Sequence, residues 1–563
     1  MKPMLRALLV ALLASALVPL VVLPQSGEGL VTPRAAVSEA DARRLAQLET
    51  LIDGLRQELK IPALSAAVVR DQKVIWARGF GLADVENNIP ATEHTTYHLA
   101  SLTKTFASTV VMRLVEEGKV SLDDPVSKYG IELKSEGVVR VRHLLSHTSE
   151  GSPGERYRYN GSRFGELDKV IEKTTGKSFA ELLAADILDP LGMDETAPNV
   201  APDAKLDPAD ARRRRFDAVS KKLARPYGLD GEFNVKRIEY PTAFATSAGL
   251  ISSVLDVAKY DIAVDQNRFL KRDTQQLAFT PARSNKGATL PYGLGWFTQD
   301  FRGTRLIWHY GYWTGNSSLI LKLPERNLTF IALANTDNLS RPTDLGNGDV
   351  LSSPVGMAFL KTFLFPETFG ESLPEIDWKS ADAALQEQLR RTAGKPYADV
   401  VNRELLTRAR MSVSVGRPGE AARLFRVYQT LNARSLPAAL SGRRVIARVE
   451  RVGDEQSQTA EFTLPREQGA RVFALGEGKD GQMFDYGWIE NAETKQIVWE
   501  MKEPQTTHAG GAAINRLIDT SVRLPAGKYK LRFKSDDSHS FDRWVTLPPH
   551  INFWGIALYA DEE

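Results

Sequence analysis

The chain of 563 residues contains no cysteine. That excludes disulfides, thiol catalysis, thiolate metal sites and lipidation of a cysteine. It also lacks a charge imbalance. Its 72 basic and 70 acidic residues leave +2, so nothing in the balance points to nucleic acid as a partner. The local run Arg212-Arg213-Arg214-Arg215 sits among Asp207, Asp210 and Asp217 and reads as a solvated face. Beyond Leu23 there is no second long apolar run, so the rest of the sequence offers no candidate transmembrane span.

What is present begins with an address. Lys2 and Arg6 precede an apolar stretch from Ala7 to Leu23, broken by Ser15 and closed by Pro24-Gln25-Ser26-Gly27. Residues 1–26 therefore read as a signal peptide, with cleavage after Ala16 or near Ser26, or as an uncleaved N-terminal anchor. An exported chain without disulfides fits a bacterial periplasm or the cell exterior, and must rely on core size for stability. The length leads us to expect two to four domains.

The chemistry is concentrated at Tyr97-His-Leu-Ala-Ser101-Leu-Thr-Lys104-Thr-Phe-Ala107. Positions i and i+3 share a helix face, so Ser101 and Lys104 would sit one turn apart. A serine hydroxyl needs an adjacent base to attack at neutral pH. A lysine amine can serve if burial and nearby positive charge lower its pKa. The helix start also favours developing negative charge. Alone, Ser-x-x-Lys is more often a capping serine beside a surface lysine, so the rest of the chain must carry the argument.

Before this motif, Glu39 to Lys60 reads as an amphipathic helix through Leu45, Leu48, Leu51, Ile52 and Leu55. Ala63–Arg70 and Lys73–Phe80 read as a hairpin turning at Asp71-Gln72. After it, His143-Leu-Leu-Ser-His-Thr-Ser149 reads as a corner fixed by polar residues. Tyr159-Asn-Gly161 lies in a loop, and helices follow to Gly176 and from Phe179 to Ile187. Residues 198–237 are polar with little periodicity and read as an excursion or lid. Ser247-Ala-Gly-Leu250 opens a helix carrying Asp256 and Tyr260. Tyr292-Gly-Leu-Gly-Trp296 starts a strand, His309-Tyr-Gly311 ends one, and two more strands run to Asn335. Strands at both ends with helices between them predict an α+β fold with an antiparallel sheet.

In this order the blocks resemble the serine β-lactamase and penicillin-binding protein family, in the class C branch with D-aminopeptidases and esterases. The resemblance spans about Leu45 to Leu364. Ser101-Leu-Thr-Lys104 resembles the first motif, Tyr159 falls on the tyrosine of Tyr-x-Asn, and His309-Tyr-Gly311 resembles His-x-Gly. The resemblance implies roles: Ser101 as nucleophile, Lys104 as base, and Tyr159 as proton donor to the leaving group. It makes His309 a charge-tuning residue that binds a carboxylate or leaving group, titrating near pH 6–7. Backbone N–H groups of Ser101 and Tyr312 would form the oxyanion hole. Asn160 and Gly311 are candidate substrate-binding residues. No metal or cofactor is implied, and the family's alternative glutamate base has no counterpart. One departure stands out: Gly161 occupies the place of the asparagine whose amide would hold substrate and lysine.

The tail divides in two. Residues 374–440 read as helical, closing with a pair in the style of a tetratricopeptide hairpin, which is too few repeats for a solenoid and is read as a linker. Residues 444–563 hold alternating runs separated by turns and predict a β-sandwich. There Asp536-Asp-Ser-His-Ser540 reads as a solvated turn in preference to a metal loop. Trp488, Trp499, Trp544 and Trp554 read as core in preference to a carbohydrate face. The expected plan is a signal or anchor (1–26), a catalytic domain (39–366), a helical linker (374–440) and a β-sandwich (444–563). The expected function is an exported serine hydrolase acting on small amides, esters or D-amino-acid peptides. Two alternatives stay open: a weakly active or inactive penicillin- or peptide-binding module, and a cell-envelope interaction protein working through its C-terminal domain.

Overall fold

The computed structural model describes residues 38–201, 206–207, 209–432, 443–537, 539–541, 544, 548–550 and 553–561. The N-terminal signal or anchor and the end of the linker lie outside the described residues.

The chain opens with helix α1 (Glu39–Glu58), capped by Ser38, whose hydroxyl accepts the Asp41 N–H. Its buried stripe is Leu45, Leu48, Ile52 and Leu55. Then come strands β1 (Ala63–Arg70) and β2 (Lys73–Asp84), joined by a two-residue turn with both Asp71 and Gln72 at positive φ. A two-residue strand β3 (Ile89–Pro90) follows at the edge. After the helical region the chain returns to the sheet as β4 (Phe297–Phe301), β5 (Thr304–Trp313), β6 (Asn316–Leu323) and β7 (Leu328–Ala334). The order is β3-β2-β1-β7-β6-β5-β4, antiparallel throughout. First and last strands meet at the centre, with Leu64 opposite Ala334.

Strand alternation sorts the apolar side chains into two cores. Leu64, Ala66, Val68, Leu321 and Phe330 pack with α1 and a later helix, Pro354–Phe363. Ala67, Val69, Ile320, Ile331 and Leu333 pack with α2 (Thr103–Glu116) and the helices inserted between the strands. Both faces are covered, so the central strands read as nearly continuous apolar runs. The site is built where α2 begins, on the second of these layers.

Residues 198–237 are less irregular than their sequence suggests. They include a helix, Ala211–Ser220, and a hairpin of Tyr227–Leu229 with Val235–Arg237. Val219 is the one buried residue of that helix, so no apolar stripe announces it. It rests on its cap and ion pairs: Asp210 caps it at 2.8 Å, Arg213 pairs with Asp217 at 3.0 Å, and Arg215 pairs with Asp189 and donates to the Met193 and Thr196 carbonyls.

In the tail, Asp382–Arg390, Ala398–Ser414 and Pro418–Asn432 are helices. The second is fastened to the catalytic layer. Glu404 pairs with Lys361 at 2.9 Å, Arg408 with Glu58 at 2.9 Å and Arg403 with Asp349 at 2.6 Å. From Val445 the chain forms an antiparallel sheet closing toward a barrel- or sandwich-like shape. Trp544 and Trp554 lie in its core, while Trp488 and Trp499 are half-buried.

Candidate active site

Ser101 stands where a tight turn becomes a helix. A 3-10 turn, Ala100–Leu102, runs directly into α2. Ala100 holds φ 48°, a left-handed conformation that a residue with a Cβ rarely adopts. Such strain persists where the surroundings over-determine it. Here the Ala100 N–H donates to His98 Nδ1 at 3.1 Å, and the Thr103 hydroxyl donates to the Ala100 carbonyl at 2.7 Å. The Leu99 N–H donates to the Leu250 carbonyl at 2.8 Å.

Lys104 is fully buried. Its Nζ lies 3.0 Å from Ser101 Oγ and donates to the Ser247 carbonyl at 2.8 Å. The Ser247–Leu250 block thus has a physical reason. Gly249 takes φ 108°, and a Cβ there would fall 2.2 Å from the Ala243 carbonyl oxygen, so this turn requires glycine. Aromatic faces flank the amine: the ring centres of Tyr159 and Phe164 lie 5.1 and 5.4 Å from Nζ. Burial pulls the lysine down to about pKa 7. The cause of this shift is burial and not the neighbouring positive charge expected from the sequence. At neutral pH much of Lys104 is therefore an amine, with a lone pair free for the serine proton.

Tyr159 sits against the pair, near Ser101, and its buried hydroxyl forms no hydrogen bond of normal geometry among the described residues. Burial raises it well above the ordinary phenol value, an effect that the neighbouring Tyr310 reinforces and Ser101 opposes. Tyr159 is thus a neutral phenol, a proton donor and not a phenolate base. His147 holds it in place. The rings are 4.2 Å apart, and His147 Nδ1 accepts the Asn160 N–H at 3.1 Å. The polar corner read from the sequence therefore positions the tyrosine.

His309 is corrected in one respect. It lies near the site but is fully buried. Its Nδ1 faces the Tyr310 carbonyl at 2.7 Å and its Nε2 faces the Tyr292 hydroxyl at 2.9 Å. A carbonyl only accepts, so Nδ1 carries the proton and Nε2 accepts from tyrosine. Burial, helped by Lys104, lowers His309 to about pKa 3. It is neutral, both nitrogens are engaged, and it offers no charge to a substrate carboxylate near pH 6–7.

Asn160 is also corrected. Its Oδ1 caps the helix Gly161–Gly165 by accepting the Arg163 N–H at 2.9 Å, and its Nδ2 donates to Glu150 at 2.5 Å. Committed at both ends, the amide does not reach toward Ser101. Gly161 does lie at the lysine. A Cβ there would be 3.7 Å from Nζ, an ordinary contact. The place of the missing amide is thus real space beside the base.

Gly311 serves by what it omits. A Cβ there would fall 2.2 Å from the Leu99 carbonyl oxygen and 2.3 Å from Ser318 Oγ. Glycine lets β5 press against the serine turn, and Ser318 Oγ stitches the contact by donating to the Leu99 carbonyl at 2.8 Å. The strand end carrying exposed Tyr312 thereby runs along the turn carrying Ser101. His98, His147, Tyr292 and the Ser247 carbonyl were not singled out as site groups from sequence. All four fall inside blocks marked from the sequence, which was the available signal.

An antiparallel sheet covered by helices, with a serine and a buried lysine at a helix start, defines the β-lactamase and transpeptidase-like class of serine acyl-transfer proteins. A family model described as Beta-lactamase matches residues 48–351, and the chain belongs to that family. Penicillin-binding protein 4* of Bacillus subtilis (strain 168) is 26% identical over 301 residues, covering 47% of this chain and 66% of that protein. Protein flp of Staphylococcus aureus (strain MW2) is 25% identical over 340 residues, covering 52% of this chain and 63% of its own. The matches thus span just under two thirds of each relative. Among solved structures, the octameric penicillin-binding protein homologue from Pyrococcus abyssi gives a TM-score of 0.49 at 25% identity. It covers 62% of this chain and 82% of that one.

Proposed function

We propose that the protein is an exported serine hydrolase, periplasmic or secreted, that works through an acyl-enzyme at Ser101. The observation that carries this reading is the Ser101–Lys104 contact of 3.0 Å with a buried, near-neutral lysine. In acylation, Ser101 Oγ bonds to the acyl carbon while its proton passes to Lys104 Nζ. The aromatic faces of Tyr159 and Phe164 support the ammonium so formed. Backbone N–H groups of Ser101 and Tyr312 receive the oxyanion. As the bond to the leaving group breaks, the Tyr159 hydroxyl supplies its proton and recovers one from Lys104. Water then enters along the reverse proton path and releases the acid.

Gly161 narrows the substrate. No side-chain amide is there to hold a substrate amide, so small esters and simple amides are favoured, D-amino-acid peptides remain in scope, and penicillin hydrolysis is least favoured. The absence of that amide favours the esterase and D-aminopeptidase branch. Gly161 also supports a second reading, a penicillin- or peptide-binding module that acylates and turns over slowly. The test is hydrolysis of p-nitrophenyl esters, D-alanine p-nitroanilide and nitrocefin by the wild type, Ser101→Ala and Lys104→Met. Ester turnover lost in both variants supports the hydrolase. Burst acylation without turnover supports the binder. Retention of the whole chain on cell-wall polysaccharide, independent of Ser101, would support an envelope role for the tail.

A further inference from the structure

The C-terminal sheet gathers three carboxylates, two from one hairpin and a third from much further along the chain. Glu477 lies on the strand Gln468–Lys479 and Asp485 on its hairpin partner Gln482–Asn491, directly opposite each other in register. A bulge follows Glu477 at once. Asp536 arrives just beyond the strand Gly527–Lys534. Oxygens of all three lie within 4.8 Å of one another. Asp485 is fully buried and Glu477 is 5% exposed.

Proximity alone would not make a site. The second observation is Glu477 itself: its Oε2 is buried and has no hydrogen-bond partner among the described residues. Neither Glu477 nor Asp485 forms an ion pair with a lysine or arginine among the described residues. The charges acting on Glu477 are the other two carboxylates. Asp485, by contrast, is aimed. Its Oδ1 accepts the Asp536 N–H at 2.8 Å and its Oδ2 accepts the Trp554 indole N–H at 2.7 Å. Each oxygen keeps a further lone pair.

We infer that Glu477, Asp485 and Asp536 form a binding site for a hard divalent cation, of the calcium or magnesium kind, that ties this hairpin to the loop after residue 534. All-oxygen donors of this charge suit such ions and not the soft metals. The loop Asp536–Ser540, which the sequence analysis reads as a solvated turn, contributes one ligand to a site whose other members the sequence gives no reason to join.

The test uses the full chain after chelator treatment and dialysis. Calcium, magnesium and manganese chlorides are titrated by calorimetry, with thermal unfolding and tryptophan emission read in parallel. One saturable site, a raised unfolding midpoint and a change in emission are expected for at least one ion, because Trp554 donates to a ligand. Glu477→Gln and Asp485→Asn should each lose the binding and the midpoint shift while retaining Ser101 acylation. If a variant fails to fold, the wild-type titration still decides. Absence of saturable binding for all three ions overturns the inference. So does binding that survives in both variants.

Discussion

At the residue scale, the account rests on which groups carry protons. Lys104 must be an amine to accept the serine proton, and burial sets its pKa at about 7. Below that value the base is protonated and inactive. The kcat/KM for a p-nitrophenyl ester should therefore fall about tenfold per pH unit below pH 7 and level off above it. His309, lowered to about 3, should add no inflection near 6–7. A profile flat through pH 7 would contradict the lysine assignment. Lys104→Met, which fills the space without a base, should lower kcat by roughly 10²–10⁴-fold. Gly161 makes the opposite kind of prediction. An asparagine would begin 3.7 Å from Nζ without a backbone clash. Gly161→Asn should improve turnover of D-alanine p-nitroanilide relative to esters by about 2- to 10-fold, the worth of one neutral hydrogen bond. An unchanged ratio of the two rates would show that the amide's place is not the determinant.

At the scale of elements, two contacts between segments matter, one for the site and one for the stability of the fold. The first is the approach of β5 to the serine turn at Gly311. Gly311→Ala would force a methyl to within 2.2 Å of the Leu99 carbonyl oxygen. The strand must move away, taking the Tyr312 N–H with it. Acylation by a fluorophosphonate should slow by roughly 10²–10³-fold, with circular dichroism unchanged. The second is the buried lysine Lys322 on β6, which pairs with Asp261 and, at 2.9 Å, with Asp265 on the helix Val254–Asp265. Lys322→Met leaves Asp261 charged without a partner or forces a proton onto it. A stability loss of about 3–5 kcal/mol in urea unfolding is expected. Elements of this kind were readable from sequence where one face was apolar. The α1 stripe and the strands β1, β2, β6 and β7 follow from periodicity alone. The helix Ala211–Ser220 did not, because it buries one residue and stands on its cap and ion pairs. The proton states were unreadable for a different reason. His309 and Tyr159 take theirs from burial and from neighbours such as Lys104 and Tyr310, which only the folded chain brings near.

At the scale of the whole molecule, the linker reading of the helical stretch needs a physical addition. Its second helix is bound to the catalytic layer by Glu404–Lys361 and Arg408–Glu58, with Glu404 only 7% exposed. Lys361→Met should therefore destabilise the catalytic layer by roughly 1–3 kcal/mol, seen as an earlier thermal transition, while Ser101 still acylates. An unchanged midpoint would make this helix a passenger. The order of motifs from Ser101 to Gly311 was legible because each names a chemical need at a fixed place in one fold. The acidic cluster of the C-terminal sheet was not, because Glu477, Asp485 and Asp536 meet only through strand register. The most direct test of the central claim is intact-mass spectrometry of the whole protein after exposure to a fluorophosphonate and, separately, to a penicillin, with Ser101→Ala as control. The account predicts a single fluorophosphonate adduct that is absent from the control. No adduct on folded wild-type protein, or an adduct that persists in Ser101→Ala, would contradict it.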